Sequence, residues 1–298
     1  MIGLWLIGLL ACQELRHQDH WELVAINHDL SVLDVRMTQG NTGWLRGQGQ
    51  VRLDWLFRRQ TPVMFARDAL PEEVGSHGSG GLSIGPDSLS QAEDGSWSLS
   101  IRDDAARAEL SLTPQYGGPA PVPWPEDPEA WTVSAPVVLG QLQGMFSAGS
   151  RSQLVDGRAV LTRRTGHAPP SLRGTERLAV YVLGDGITIG ADQTGSQVIS
   201  WALVGDLAFD ARDARLSRGD KGRLVLDLRP TADLVAHVLP RQPRHVQTPW
   251  RHLHGLERWL AGLWVGTPER RTQGARARLL IGGEALETRA VIIEERFL

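Results

Sequence analysis

Residues 45–55 alternate strictly between two kinds of side chain. One set is Leu45, Gly47, Gly49, Val51, Leu53 and Trp55, and the other is Arg46, Gln48, Gln50, Arg52 and Asp54. Because successive side chains of a β-strand point to opposite faces, this pattern predicts a strand with one buried and one solvated side. Its glycines permit tight bending or the close approach of another strand, as at the corner of a barrel.

Similar segments recur along the chain. They cover residues 21–26, 32–38, 97–102, 106–112, 178–183, 187–190, 276–281 and 284–293. Gly184-Asp185-Gly186 and Gly282-Gly283 are turns that need positive φ angles and therefore predict hairpins. Roughly eighteen strands separated by turn signals favour an all-β sandwich or barrel over a βαβ scheme.

Four stretches interrupt this pattern. Residues 75–85 are rich in Gly and Ser and predict a flexible loop, whereas the proline-rich stretch 117–128 predicts a stiff surface connection. In 249–263, leucines at helical spacing predict one short helix near the C-terminus. Residues 166–174, with two adjacent prolines, are the best candidate for a domain boundary.

Charge and composition narrow the classes of function. The chain has 298 residues and a formal charge of −3 from 31 basic and 34 acidic residues, which argues against nucleic acid as a partner. His245, His252 and His254 lack the usual frame of a zinc site, so we predict neither a metal nor a cofactor. Eleven tryptophans exceed the usual needs of a core, and some of them could line a pocket for an apolar ligand.

Cys12 is the single cysteine and follows a short apolar run. That run is too short to span a bilayer and is typical of an export signal. Leu9-Leu10-Ala11-Cys12 resembles the bacterial lipobox, which implies lipidation of Cys12 and cleavage just before it. We therefore predict a lipoprotein signal peptide at 1–11, a polar leader at 12–19, and a membrane-anchored protein of the bacterial cell envelope that faces the periplasm or exterior. The alternatives are a buried N-terminal strand with an incidental cysteine, and a wrongly assigned start codon.

Four stretches together resemble the tandem lipocalin-like superfamily, which includes carotenoid hydratases, AttH-like proteins, fungal survival-factor proteins and lipocalin-type Diels–Alderases. They are residues 20–23, with an aromatic first strand; 43–55, with an acidic-aromatic end; 135–144 followed by 157–165; and 282–294, with a Glu near the terminus. The resemblance implies two lipocalin-like antiparallel β-barrels, at 20–168 and 169–298. A lipocalin barrel is wide enough for one small ligand, expected at a barrel mouth or between the domains.

The sequence departs from this superfamily at one functional stretch. Family members often carry an Asp-His pair and an aromatic residue in the mid-chain loop, where this chain has Arg163-Arg164-Thr165-Gly166-His167. An acid that could protonate an alkene is therefore not visible there. This difference puts hydratase activity in doubt.

Candidate catalytic residues are Glu22, Asp54 and His167. Hydration or cyclisation of an alkene needs a carboxylic acid that an apolar pocket keeps protonated, and Glu22 and Asp54 each adjoin a tryptophan. Neighbours on a strand face opposite sides, however, so neither acid shares a pocket with its own tryptophan. His167 lies in the mid-chain stretch and could act in acid–base chemistry.

Candidate ligand-binding residues are Trp21, Trp55, Trp97 and Trp201, on predicted strands, and His28, at a possible barrel mouth. Core packing is the alternative role for each tryptophan. The leading interpretation is a membrane-tethered protein that binds an apolar small molecule such as a lipid or a polyene. The alternatives are an enzyme that hydrates or cyclises an isoprenoid or polyketide, and a structural lipoprotein without a ligand.

Overall fold

The computed structural model describes residues 17–42, 45–57, 61–117, 122–123, 131–167, 176–195, 197–210, 213–229, 232–241, 245–247, 255, 259 and 268–297. Most of these residues lie in β-strands, which confirms the predicted all-β class. They form two antiparallel sheets, one after the other along the chain.

The first sheet curls into a nearly closed barrel. Its strands are β1 (His17–Asn27), β2 (Val32–Thr42), β3 (Leu45–Leu56), β4 (Val63–Ala69), β5 (Val74–Ser76), β6 (Gly81–Ile84), β7 (Asp87–Gln91), β8 (Trp97–Arg102), β9 (Arg107–Gly117), β10 (Val122–Pro123), β11 (Trp131–Ala148) and β12 (Arg151–His167). They pair in the order β4-β3-β2-β1-β12-β11-β9-β8-β7-β6-β5, and β10 pairs with β11. Two 3₁₀ turns, Pro71–Glu73 and Gly78–Gly80, flank β5.

The second sheet is a half-barrel. Its strands are β13 (Glu176–Leu183), β14 (Ile187–Thr194), β15 (Gln197–Val204), β16 (Leu207–Asp210), β17 (Arg215–Arg218), β18 (Leu224–Asp227), β19 (Leu234–Pro240), β20 (His245–Gln247), β21 (Pro268–Ile281) and β22 (Glu284–Phe297). They pair in the order β16-β15-β14-β13-β22-β21-β19-β18-β17, β20 pairs with β21, and a 3₁₀ turn spans Asp220–Gly222. In both sheets the first strand pairs with the last, so one topology occurs twice in tandem.

The first sheet approaches closure where its two ends meet. A Cβ placed on Gly49 in β3 would lie 2.7 Å from a methyl carbon of Val74 in β5, so the predicted close approach at this strand is confirmed. On β4, Arg67 donates to the buried Asp87 at 2.9 Å and also pairs with Asp103. A charged link therefore joins the edge strand β4 to the far end of the same sheet.

Alternation along the strands divides the apolar residues among three cores. The first barrel encloses a large core to which Trp21, Leu53 and Trp55 belong, and the second sheet carries an aliphatic one. A third core lies between the two sheets and joins residues such as Val24, Trp201 and Ile293. The outer face of β1 and β2 is therefore covered by the second sheet.

This coverage corrects the prediction that one side of 45–55 is solvated. Arg52 is 7% exposed and Asp54 is 2% exposed, although both lie on the polar face of β3. Arg52 donates to Asp68 of β4 at 2.8 Å and to backbone carbonyls. The polar face of the strand is thus buried at Arg52 and Asp54, and the charge of Arg52 is paired within the protein.

The hairpin turns follow the prediction, but one predicted loop does not. Gly282 and Gly283 have φ angles of 54° and 88° and connect β21 to β22, as their positive-φ requirement implies. Residues 75–85, predicted as a flexible loop, instead contain β6, whose Leu82 and Ile84 are fully buried. These two side chains bury enough apolar surface to order a stretch rich in Gly and Ser.

Several predicted segments lie wholly or largely outside the described residues. They are the N-terminal segment with Cys12, most of the proline-rich stretch and most of 249–263. Within the last of these, Gly255 and Trp259 are helical. In the part of the chain that the structure describes, no helix has the length and apolar character needed to cross a bilayer.

Candidate functional site

Three tryptophans, Trp21, Trp55 and Trp97, face the interior of the first barrel. Each is at most 1% exposed. The rings of Trp21 and Trp97 are in contact, with centroids 5.1 Å apart, and Trp55 meets Phe146 edge-on at 4.6 Å. Strand alternation from β1, β3 and β8 therefore brings three of the four predicted tryptophans into one barrel. We call these three residues the tryptophan group.

The indole nitrogens of the tryptophan group have no partner in the part of the chain that the structure describes. Nε1 of Trp21, Trp55 and Trp97 is buried and has no hydrogen-bond partner among the described residues. Leaving a buried donor unsatisfied costs about 1–3 kcal/mol. Phenylalanine would fill similar space without that cost. The interior of the barrel therefore presents three hydrogen-bond donors in apolar surroundings.

An ion pair stands beside Trp21. Arg163 donates to both oxygens of Asp19, at 2.9 and 2.8 Å, and its guanidinium lies 4.8 Å from the Trp21 ring centroid. The Asp19 side chain is 4% exposed, whereas that of Arg163 is 20% exposed. The end of the barrel at which β1 begins therefore reaches solvent and carries a neutralised charge pair.

A second buried region lies between the two sheets. It contains four carboxylates and four guanidiniums, which we call the charge cluster: Glu22, Asp34, Asp192 and Glu295, with Arg36, Arg164, Arg177 and Arg270. Strands β1, β2 and β12 of the first sheet supply half of these residues, and β13, β14, β21 and β22 of the second sheet supply the rest. The cluster is balanced in charge, as a buried ionic network must be to remain charged.

Two arginines connect the carboxylates of the charge cluster. Arg270 donates to Glu22 at 2.7 Å, to Asp34 at 2.7 Å and to Glu295 at 2.6 Å. Arg177 donates to Glu22 at 3.0 Å, to Asp192 at 2.6 Å and to Glu295 at 3.2 Å. Both side chains belong to the second sheet and reach Glu22 of the first, so the cluster links the two sheets.

The charge cluster keeps Glu22 ionised. Burial alone would raise its pKa, but Arg177 and Arg270 outweigh burial and hold the pKa of Glu22 well below its ordinary value. Tyr181 also donates to the Glu22 carboxylate at 2.7 Å. A proton-donating catalyst needs the opposite environment, one that keeps the acid protonated. This environment therefore does not favour acid catalysis by Glu22.

His20 adjoins the charge cluster and is neutral. Burial, with the positive charge of Arg36, lowers the pKa of His20 well below its ordinary value. Arg36 can only donate, so Nδ1 accepts its hydrogen bond at 2.8 Å, and Nε2 carries the proton that it donates to Gln18 at 2.7 Å. The hydrogen-bond partners of His20 therefore identify its tautomer.

A small cavity of about 10 Å³ opens beside His20 and is lined by His20, Glu22, Arg36, Thr162, Arg164 and Arg177. This volume is close to the minimum that one water molecule needs. This cavity therefore holds one water molecule at most. The ion pairs around it suit this part of the molecule to holding the two sheets together.

Lowering the pH from about 7 to 5 is expected to destabilise the protein by about 1–2 kcal/mol through His20 alone. The unfolded state takes up a proton near the ordinary pKa of histidine, whereas folded His20 does not, so stability falls as the pH drops below about 6.5. Around His20, the charged groups are Arg36, Arg164, Arg177 and Glu295. Urea unfolding of the native protein and His20→Gln at several pH values tests this, since the variant should show a flatter profile. Identical profiles would contradict the assignment.

The other predicted site residues are dispersed. Trp201 lies between the sheets, where it contacts Tyr181 and packs on Gly190, and a Cβ at position 190 would lie 2.1 Å from its ring. His28 is exposed in the turn after β1 and lies 3.7 Å from Asp156. Asp54 is on the outer face of β3, opposite Trp55, and Glu22 is opposite Trp21, as strand alternation implies.

His167 ends β12 in the structure, and its side chain is not described. The predicted lipidation site, Cys12, lies outside the described residues and stays a prediction.

The charge cluster was not predicted from the sequence. Its members come from strands far apart in the chain, and Glu22 and Arg270 are separated by 248 residues. One signal was available: Val24 and Ile26 lie on the same face of β1 as Glu22, and apolar residues there indicate a covered face.

No protein-family model matches the chain, and no curated protein matches it in sequence. Solved structures do resemble it. An AttH-like protein from Nitrosomonas europaea is 11% identical, with 96% of this chain and 94% of that chain covered and a TM-score of 0.66. CghA with Sch210972 is 10% identical, with coverages of 95% and 89% and a TM-score of 0.67. Kievitone hydratase from Nectria haematococca is 8% identical, with coverages of 94% and 88% and a TM-score of 0.59.

These similarities establish the fold. The chain has a tandem lipocalin-like β-barrel fold, and the resemblance in fold that was predicted from the sequence is confirmed. At such low identities, the activities of those proteins do not transfer with the fold.

Proposed function

We propose that this protein binds an apolar small molecule inside its first barrel. The observation that carries the proposal is the tryptophan group, whose three buried indole nitrogens have no hydrogen-bond partner among the described residues. Aromatic lining with a few polar groups is typical of small-molecule sites, and lipocalin-like barrels are wide enough for one ligand. The partly exposed Arg163 marks the end of the barrel at which a ligand would enter.

Saturable binding of an apolar ligand is therefore expected. Retinol, oleate and N-phenylnaphthylamine form a suitable panel, and at least one should quench tryptophan fluorescence and raise the melting temperature. Ligand at a hundred times its dissociation constant stabilises the native state by about 2.7 kcal/mol. Trp97→Phe should reduce the amplitude of quenching more than Trp201→Phe, because Trp201 lies outside the barrel interior. Absence of both quenching and stabilisation with the whole panel would favour the structural lipoprotein instead.

The enzyme alternative receives less support from the geometry. The fold is shared with a protein named as a hydratase, but hydration of an alkene needs a protonated acid beside the substrate. Glu22 is ionised and faces away from the tryptophan group, and Asp54 is also on an outer face. Binding without chemistry is therefore the function that the described residues support best.

We propose further that Cys12 tethers the protein to a bacterial membrane, on the basis of the lipobox-like Leu9-Leu10-Ala11-Cys12. In a bacterial host, the mature chain is expected to begin at a lipidated Cys12 and to partition with membranes, and Cys12→Ser should abolish the modification. Mass spectrometry of the membrane fraction tests this. An unmodified Cys12 in a chain that still begins at Met1 would exclude the tether.

A further inference from the structure

The unpaired donors of the tryptophan group constrain the chemistry of the ligand. Trp21 and Trp97 are in ring contact, and the nitrogen of each is buried without a partner among the described residues. Indole nitrogen can only donate a hydrogen bond. A ligand that satisfies these groups must therefore carry hydrogen-bond acceptors, and a plain hydrocarbon would leave them unsatisfied.

The side chains in the core of the second sheet differ from those in the first barrel, which supports a specific role for the tryptophan donors. The core of the second sheet is aliphatic among the residues described, with leucine, valine, isoleucine and alanine side chains. That core therefore offers no aromatic donor, whereas the first barrel gathers three. Trp201, on the other face of the second sheet, also has a buried Nε1 without a partner among the described residues, and it provides the matched comparison outside the barrel.

The ion pair beside Trp21 opposes an anionic acceptor. Arg163 already donates hydrogen bonds to both carboxylate oxygens of Asp19, at 2.9 and 2.8 Å. A ligand carboxylate at this end would add a second negative charge beside the buried Asp19, and like charges at close range disfavour each other. A neutral oxygen acceptor avoids this repulsion.

We propose that the ligand of the first barrel is a neutral, oxygen-bearing apolar molecule, such as an ester, ketone or ether, whose oxygen accepts hydrogen bonds from Trp21 and Trp97. This inference rests on the proposed ligand-binding function and narrows its ligand class. It predicts that the site discriminates between molecules of equal length by their oxygen atoms.

Displacement of bound N-phenylnaphthylamine by methyl decanoate, undecane and decanoate tests the proposal. Methyl decanoate should displace the probe at roughly tenfold lower concentration than undecane, because it forms hydrogen bonds that undecane cannot form. The ester is the less hydrophobic of the two, so burial alone would give the opposite order. Decanoate should require several-fold more than the ester.

Variants that lack the indole nitrogen test whether it causes the preference for the ester. Trp97→Phe and Trp21→Phe keep an aromatic ring and remove the donor, and each should reduce the preference for the ester over undecane to about twofold. Trp201→Phe makes the same change between the sheets and should retain the full preference. Circular dichroism of each variant checks that it is folded, and either barrel variant suffices for the test.

Two outcomes would overturn the inference. If the ester and undecane displace the probe equally, or if the preference survives in a barrel variant that is folded, the oxygen-bearing class is wrong while the proposed binding function stands. If the probe and all three competitors fail to bind, the proposed function fails as well.

Discussion

Replacing Arg270 with methionine is expected to lower the free energy of unfolding by about 3–5 kcal/mol, because the change leaves buried charges uncompensated. The side chain of Arg270 is 3% exposed and donates to Glu22, Asp34 and Glu295. Methionine fills much of the same volume but cannot neutralise these carboxylates. Loss of the central cation should therefore weaken the contact between the two sheets.

Urea unfolding at neutral pH, followed by circular dichroism, measures this effect. Arg229→Met is a matched control, because Arg229 pairs with Asp227 on the surface and its side chain is 64% exposed. Surface ion pairs contribute little, so the control should unfold near the native midpoint. Equal midpoints for Arg270→Met and Arg229→Met would show that the charge cluster does not hold the sheets together.

Replacing Trp21 with alanine is expected to cost about 3–5 kcal/mol, the range for buried tryptophan-to-alanine changes. Trp21 is 1% exposed and contacts both Trp97 and the Arg163 guanidinium. Its loss opens a cavity in the core of the barrel and removes the ring against which the Arg163 guanidinium lies. The loss of this contact should add to the destabilisation that the cavity causes.

Trp259→Ala is the control for the loss of a large side chain. Trp259 is 60% exposed, and substitutions at such surface positions usually change stability by less than about 0.5 kcal/mol. Thermal or urea unfolding compares the two variants with the native protein. A Trp21→Ala variant as stable as Trp259→Ala would contradict the packing described for the barrel interior.

Short-range patterns predicted the strands and their faces well. The alternation along 45–55 and the double glycine at 282–283 depend on neighbouring residues alone, so the sequence contains the necessary information. Strand alternation also predicts that Trp21 and Glu22 face opposite sides, which the structure shows.

Contacts between distant strands were not predictable in the same way. Asp54 and Glu22 were expected on solvated faces or in a pocket, but the second sheet covers their side of the first barrel. Their partners depend on how two sheets pack, which no local pattern encodes. The prediction of a flexible loop at 75–85 was wrong for a related reason. Leu82 and Ile84 pack into a core that other strands build, and this packing orders the segment.

If the first barrel binds the ligand, the indole groups of Trp21, Trp55 and Trp97 should report its arrival. Indole ¹⁵N–¹H spectra recorded during titration with methyl decanoate test this binding most directly, with resonances assigned by single Trp→Phe variants. Binding in the barrel should give saturable shifts for Trp21 and Trp97, smaller ones for Trp55, and none for Trp201. Shifts confined to Trp201 would instead locate the ligand between the sheets, and an unchanged spectrum at saturating ester would contradict binding in the barrel.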